Sequence, residues 1–236
     1  NTKLTTAAPR FQRRLGLLAK LESSYATSGA EQEVADHQKL YAKAARMVTS
    51  DRMAAFQLDQ EPDAERDRYG RTDFGSACLL ARRLVAGGVT FVEVSHGNWD
   101  THDNVFERTG NLCGQIDQPV AALIADLKQR GMLDKTLVIW MGEFGRTPKI
   151  NPRGGRDHFP RAFNVALAGG GIRGGQVIGH TDAGGAAVTD HPVSVQDLFQ
   201  TFCKSLGINP ATENMSSIGR PIKFVDGGEP VAQLFG

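Results

Sequence analysis

Cysteine is scarce in this chain. Its three residues, Cys78, Cys113 and Cys203, are odd in number, far apart and outside any C-x-x-C pair. That pattern excludes a disulfide framework and a thiolate zinc site. Charge of one sign is missing too: 27 basic residues against 26 acidic leave +1, so nothing drives the whole chain toward nucleic acid or an anionic membrane, and any basic function must be local. No apolar run approaches the ~20 residues that a membrane helix needs. A signal peptide is absent and the first residue is Asn1 rather than methionine, so a processed or truncated product is expected. What remains, 40% hydrophobic and 22% charged residues in 236, is ordinary globular material. It is read as a single domain over 1–236.

Two helical segments come first. Phe11, Leu15, Leu18 and Tyr25 form one apolar stripe, and Val34, Tyr41, Ala44 and Val48 form another. His37 falls on the second stripe and is read as a packing histidine. Residues 1–60 are therefore expected as a helical segment packed on the rest. "LDQEPDAERDRYGRT" (58–72) is polar, contains Pro62 and Gly70, and reads as a solvated linker.

From Asp73 the pattern changes. Helices are expected over 73–87, 115–131 and 194–208, the last with Ser194 as its cap. Strands are expected at "VTFVEVS" (89–95), "TLVIWM" (136–141) and 163–168. "TLVIWM" has no polar alternation, as in a sheet covered on both faces. Alternation of strand and helix predicts an α/β fold, a largely parallel sheet sandwiched by helices.

In such sheets ligands gather beyond the carboxyl ends of the strands. Asp100 and His102 follow the first of these strands; Glu143, Arg146, Asp157 and His158 follow the second. Carboxylate with imidazole suits zinc, manganese or iron. Asp100 and His102, two residues apart, can turn toward one ion, with His158 as the third ligand. Arg146, Lys149, Arg153, Arg156 and Arg161 lie within sixteen residues around these points, a basic loop on a nearly neutral chain. Guanidinium groups bind tetrahedral oxyanions bidentately, so a phosphate or sulfate ester fits. "GGGIRGG" (169–175) matches a dinucleotide fingerprint in form, but no helix follows it, and the fingerprint needs one. His180 and His191 sit in turns rich in Gly and Pro and are read as surface residues.

"WDTH" (99–102), "GEFGRTP" (142–148), "GRDHFP" (155–160) and "LAGGGIRGGQVIG" (167–179) resemble the bacterial family catalogued as domain of unknown function fifteen-oh-one, with "YGRTDFGSACLLARRLVAGGVTFVEV" (69–94) extending the likeness. That family in turn resembles the alkaline phosphatase and sulfatase superfamily. The resemblance implies a sulfatase-like fold, an exported or periplasmic protein, and metal-dependent hydrolysis of phosphate or sulfate esters. It implies a divalent metal, zinc or manganese first and calcium or magnesium next. Asp100, His102 and His158 would be one metal site, with Asp157 beside them, and Glu143 would stand at the second. Phe144 stands where the superfamily's second-site histidine would be.

Arg146 is expected to act in catalysis and, with Arg156 and His96, to bind substrate. The expected partner is a small anionic ester, with no nucleic acid and no membrane span. No nucleophile is found in the chain, so 1–236 reads as the C-terminal portion of a longer sulfatase-like protein whose N-terminal half is a further partner. The alternative is a metal- and anion-binding module of the same fold without turnover.

Overall fold

A computed structural model describes residues 5–236. The chain divides into two compact units, one of residues through Arg66 with Leu79–Glu93, the other of Asp67–Cys78 with Val94–Gly236.

In the first unit, helices α1 (Ala8–Ala26) and α2 (Glu31–Val48) are joined by four residues, a link short enough to force an antiparallel hairpin. Phe11, Leu15 and Leu18 are half-buried along the seam. The stripe then continues through Glu22 and Ala26 instead of the expected Tyr25, which is exposed. Glu22 can enter the seam because Nδ1 of His37 meets its carboxylate, while the His37 ring packs on Tyr41.

The stretch read as a solvated linker is ordered. After a 3-10 turn at Leu58–Gln60 comes helix α3 (Asp63–Arg68). Glu61 is half-buried between Arg82, at 2.8 Å, and Arg83. Burial opposes its charge, but the two guanidinium groups prevail and hold its carboxyl below the usual range. Arg83 also donates to the carbonyls of Ala54 and Ala55, both at 2.7 Å. Both arginines belong to α4 (Asp73–Ala86), so charges that looked like surface are an internal clamp.

In the second unit, α5 (Val105–Gln129) is the spine. It begins well before the expected 115, because Val105, Leu112, Ile116, Ala122 and Leu127 recur on one buried face. That burial outweighs the low helix propensity of Gly110 and Gly114. Asp126, also buried, takes Tyr69 Oη at 3.0 Å, Arg68 Nη2 at 3.1 Å and Arg130 Nε at 2.6 Å. At the other end of the unit, α6 (Val195–Leu206) starts with a capping box between Ser194 and Asp197 and stops at Gly207. Its buried Thr201 accepts the Val231 N–H at 2.9 Å and ties down the C-terminal segment.

The expected parallel sheet is not there. Among the described residues the ladders are antiparallel pairs of short strands. β1 (Val138–Trp140) pairs with β4 (Ala166–Ala168), and β2 (Gly145–Arg146) with β3 (His158–Phe159). β5 (His180–Thr181) pairs with β6 (Val188–Asp190), and β7 (Glu213–Met215) with β8 (Pro221–Lys223). "VTFVEVS" forms no strand, and Phe91 within it is exposed. Trp140 and Met141 are exposed as well, so "TLVIWM" is no strand covered on both faces. A short apolar run identifies a β-prone segment but carries no information on the direction of its partner. No helix follows the glycines after β4 before β5, and two of them, Gly169 and Gly170, lie hard against neighbouring chain. A Cβ on Gly169, where φ is +70°, would lie 2.3 Å from the Leu133 carbonyl oxygen.

Candidate metal centre

The centre lies wholly within the second unit, on two loops stitched together by their backbones. One is the loop 99–104 that leads into α5; the other returns from β2 to β3. Arg156 N donates to Thr101 O at 3.1 Å, Val105 N to Gly154 O at 2.9 Å, and Asn104 N to Arg153 O at 3.3 Å. Close approach is the condition for this: a Cβ on Gly155 would stand 2.0 Å from the His102 carbonyl carbon. Thr101 is buried, so its neighbours Asp100 and His102 project to the other side, as i and i+2 do in extended chain.

His158 comes from β3 and is the cross-strand partner of Arg146 on β2. Nε2 of His102 and Nε2 of His158 are each 3.0 Å from Asp100 Oδ1 and 3.2 Å from one another. Among the described residues, these three side chains form the one group whose donor atoms could share an ion. Ligand atoms in a tetrahedral shell with bonds of ~2.0–2.2 Å stand about 3.3–3.6 Å apart. The triangle therefore has close to the dimensions of one face of such a shell and opens by only a few tenths of an ångström to fit it.

Behind the triangle, Asp157 Oδ1 lies 3.0 Å from His102 Nδ1, on the opposite edge of the ring from Nε2. A carboxylate there holds the proton on Nδ1 and leaves the Nε2 lone pair facing the centre. Asp157, expected among the ligands, stands outside the triangle and meets His102 from behind. Asn151 organises the loop. Its Nδ2 donates to His102 O and to Asp157 Oδ1, both at 3.0 Å, and its Oδ1 accepts from the backbone of Arg153 and Gly155. No sequence signal marked Asn151 apart from its place in a loop rich in Gly and Pro.

Arg146 Nη1 meets Asp100 Oδ1 at 2.5 Å and its Nη2 meets Glu143 at 2.9 Å. Glu143 thus joins the centre through Arg146 and not as a member of the triangle. The Arg146 bond, then the His158 bond, hold Asp100 down to about 2. Asp157 is lowered by His102 first and Asn151 second. Both carboxylates are consequently charged across the whole physiological range. The ring of Phe144 packs 4.5 Å from that of His158 and fixes its tilt.

The remaining expected site residues sit among other partners. Arg156 donates to the carbonyls of Thr147 and Pro148 at 2.5 and 2.7 Å. His96 accepts Trp99 Nε1–H at 3.1 Å and packs edge-on against Phe74. His180 and His191, both exposed, share the Asp190 carboxylate.

The family model described as protein of unknown function (DUF1501) matches residues 2–235, and the chain belongs to that family. No curated protein and no solved structure matches it. No helix among the described residues is long and apolar enough to cross a membrane.

Proposed function

We propose that this member of the DUF1501 family carries the metal- and anion-binding part of a hydrolase acting on phosphate or sulfate esters. The observation that supports it is the donor triangle of Asp100, His102 and His158 with the Arg146 guanidinium bonded to the same Asp100 oxygen. Three protein donors are the set found in catalytic sites, where a fourth position stays open; closed structural sites use four. Two imidazoles with one carboxylate favour zinc or manganese over the all-oxygen shells of calcium and magnesium. A divalent ion held there supplies Lewis acidity toward an ester oxygen.

The chain's own groups do the rest. Asp157 keeps the His102 proton on Nδ1, and Phe144 holds His158 in place. Arg146 has five N–H donors in a rigid fork. Its bonds to Asp100 and Glu143 leave some of them for the equatorial oxygens of an incoming anion. Likeness to the sulfatase superfamily rests on this site and on the sequence motifs, not on a parallel sheet.

One observation favours the second reading, a module that binds metal and anion without turnover. Among the described residues, no serine, threonine or cysteine side chain takes part in the bonds that hold Asp100, His102 and His158. The test takes the metal-free protein, titrates zinc and manganese by calorimetry, and then assays 4-nitrophenyl phosphate and 4-nitrophenyl sulfate. One-to-one binding lost in His102→Ala and His158→Ala, with turnover lost in parallel, is the expected result. Binding without turnover establishes the module, and no binding in the native protein overturns both.

A further inference from the structure

We propose that Asp100 holds the Arg146 guanidinium in reserve and releases it to an incoming oxyanion when a metal takes the same carboxylate, so that cation and anion strengthen each other's binding. The inference rests on the metal reading of the Asp100, His102 and His158 triangle. It adds how that site is regulated and gives Glu143 a task.

The sharing of one oxygen carries the argument. Asp100 Oδ1 meets Arg146 Nη1 at 2.5 Å and the Nε2 atoms of His102 and His158 at 3.0 Å each. It is thus a corner of the donor triangle and also the acceptor of the guanidinium. Asp100 carries one negative charge. A divalent cation at the triangle more than cancels that charge, and two cations on one oxygen repel. Arg146 has a second anchor: its Nη2 meets Glu143 at 2.9 Å. Glu143 stands outside the triangle and keeps its whole charge for the guanidinium.

The two anchors differ in where they sit. Glu143 is three residues before Arg146, on the turn between β1 and β2, whereas Asp100 lies 46 residues away on the loop before α5. Loss of the Asp100 bond therefore frees one side of the fork while Glu143 keeps the guanidinium beside the centre. The Phe144 ring, whose centroid is 5.6 Å from Arg146 Cζ, limits its swing. The freed N–H groups can then join those of the same fork that an oxyanion takes in pairs. Coupling of this kind is reciprocal: the factor by which metal improves anion binding is the factor by which anion improves metal binding.

Calorimetry of the intact chain tests this, with zinc and inorganic sulfate as probes. Zinc should tighten sulfate binding at least tenfold relative to chelator-treated protein, and sulfate should tighten zinc binding by the same factor. Contact between metal and anion also produces such coupling, so the decisive variants are measured without metal. Chelator-treated Asp100→Asn, which has no charge to hold Arg146, should bind sulfate at least tenfold tighter than the treated native chain. Adding Arg146→Gln should erase that gain, since a gain from the lost charge alone persists in both backgrounds. Glu143→Gln should leave zinc affinity near the native value. Zinc binding without the Asp100→Asn gain, or with a gain that survives Arg146→Gln, overturns the inference and leaves the metal reading standing. A Glu143→Gln chain that loses zinc as His158→Ala does puts Glu143 on the metal and overturns it equally. A native chain that binds no zinc in either buffer removes the metal reading, and the inference with it.

Discussion

His102 and His158 turn their Nε2 atoms toward each other at 3.2 Å, across the oxygen of a single aspartate. Two imidazole lone pairs aimed at one point repel unless a proton or a cation stands between them. With the Nδ1 proton of His102 directed to Asp157, the arrangement is matched to a cation.

The first prediction follows from that carboxylate. Asp157→Asn keeps the size of the side chain but removes the charge that fixes the His102 tautomer. Zinc affinity should fall about 10- to 100-fold, the usual consequence of losing an outer partner of a metal-bound histidine. His102→Ala and His158→Ala should eliminate tight binding altogether. Calorimetric titration of the three variants against the native chain separates the two sizes of effect. An Asp157→Asn protein that loses as much as His102→Ala would place Asp157 on the metal itself.

A second prediction concerns the loop that delivers His158. Asn151→Ala removes two donated and two accepted hydrogen bonds in a half-buried setting. Each group left unsatisfied there costs about 1–3 kcal/mol, so the variant should melt several degrees lower and bind metal more weakly. Gly155→Ala should do worse, because its new methyl group would meet rigid backbone of His102 and Asp103 and not a movable side chain. Thermal melts with and without zinc measure both. A metal affinity left at the native value in Asn151→Ala would show that the loop holds its shape without this residue.

How much of this was legible beforehand differs between fold and site. Asp100, His102 and His158 were legible as chemistry, because side-chain type and placement after apolar segments restrict what a residue can do. Glu143 and Asp157 carry the same functional group, and only the bonds around them show that one meets Arg146 and the other orients His102. The helices 73–86 and 195–206 were legible because their caps and apolar spacing are local signals. Sheet topology was not. "TLVIWM" and "FNVALA" each read as strands, but direction and register are set by contacts distant in sequence, and the pair came out antiparallel. Glu61 misled for the opposite reason: a charge reads as surface until its partners, the buried Arg82 and the half-buried Arg83, are known.

Acid sensitivity should appear at α6. The Ser194 hydroxyl first, then the backbone N–H groups of Glu229 and Ser194, stabilise the Asp197 carboxylate and lower its titration below the ordinary 3.8. A depressed folded value means the ionised form is favoured by folding. The contribution is therefore complete above 3.8 and is lost as the pH falls through the lower folded value. Urea melts from pH 6 down to pH 2 should show the native chain losing this increment, while Asp197→Ala, already without it, falls less steeply. Parallel pH profiles for the two proteins would remove the capping box from the account.

The last prediction separates contact from field in the basic loop. Arg146 is largely shielded from solvent, with 19% of its side chain exposed, and is fixed by Asp100 and Glu143. Arg153 is exposed, and only its backbone N–H joins the Asn151 network. Arg156 cannot serve as a control, because its guanidinium holds the carbonyls of Thr147 and Pro148. A fixed guanidinium beside the centre makes charge-assisted bidentate contacts stronger than the ~0–1 kcal/mol of an exposed pair. Arg146→Ala should therefore lower kcat/KM for an ester at least tenfold, about 1.4 kcal/mol, at any ionic strength. Should the chain prove to bind without turnover, the same loss is expected in inorganic phosphate affinity. Arg153→Ala leaves the Asn151 bond intact and should act only at low salt, where attraction over ~10 Å or more is unscreened. Equal losses from the two substitutions, with the same salt dependence, would reduce the loop to diffuse charge. A loss confined to Arg146 and insensitive to salt would place its fork on the bound anion.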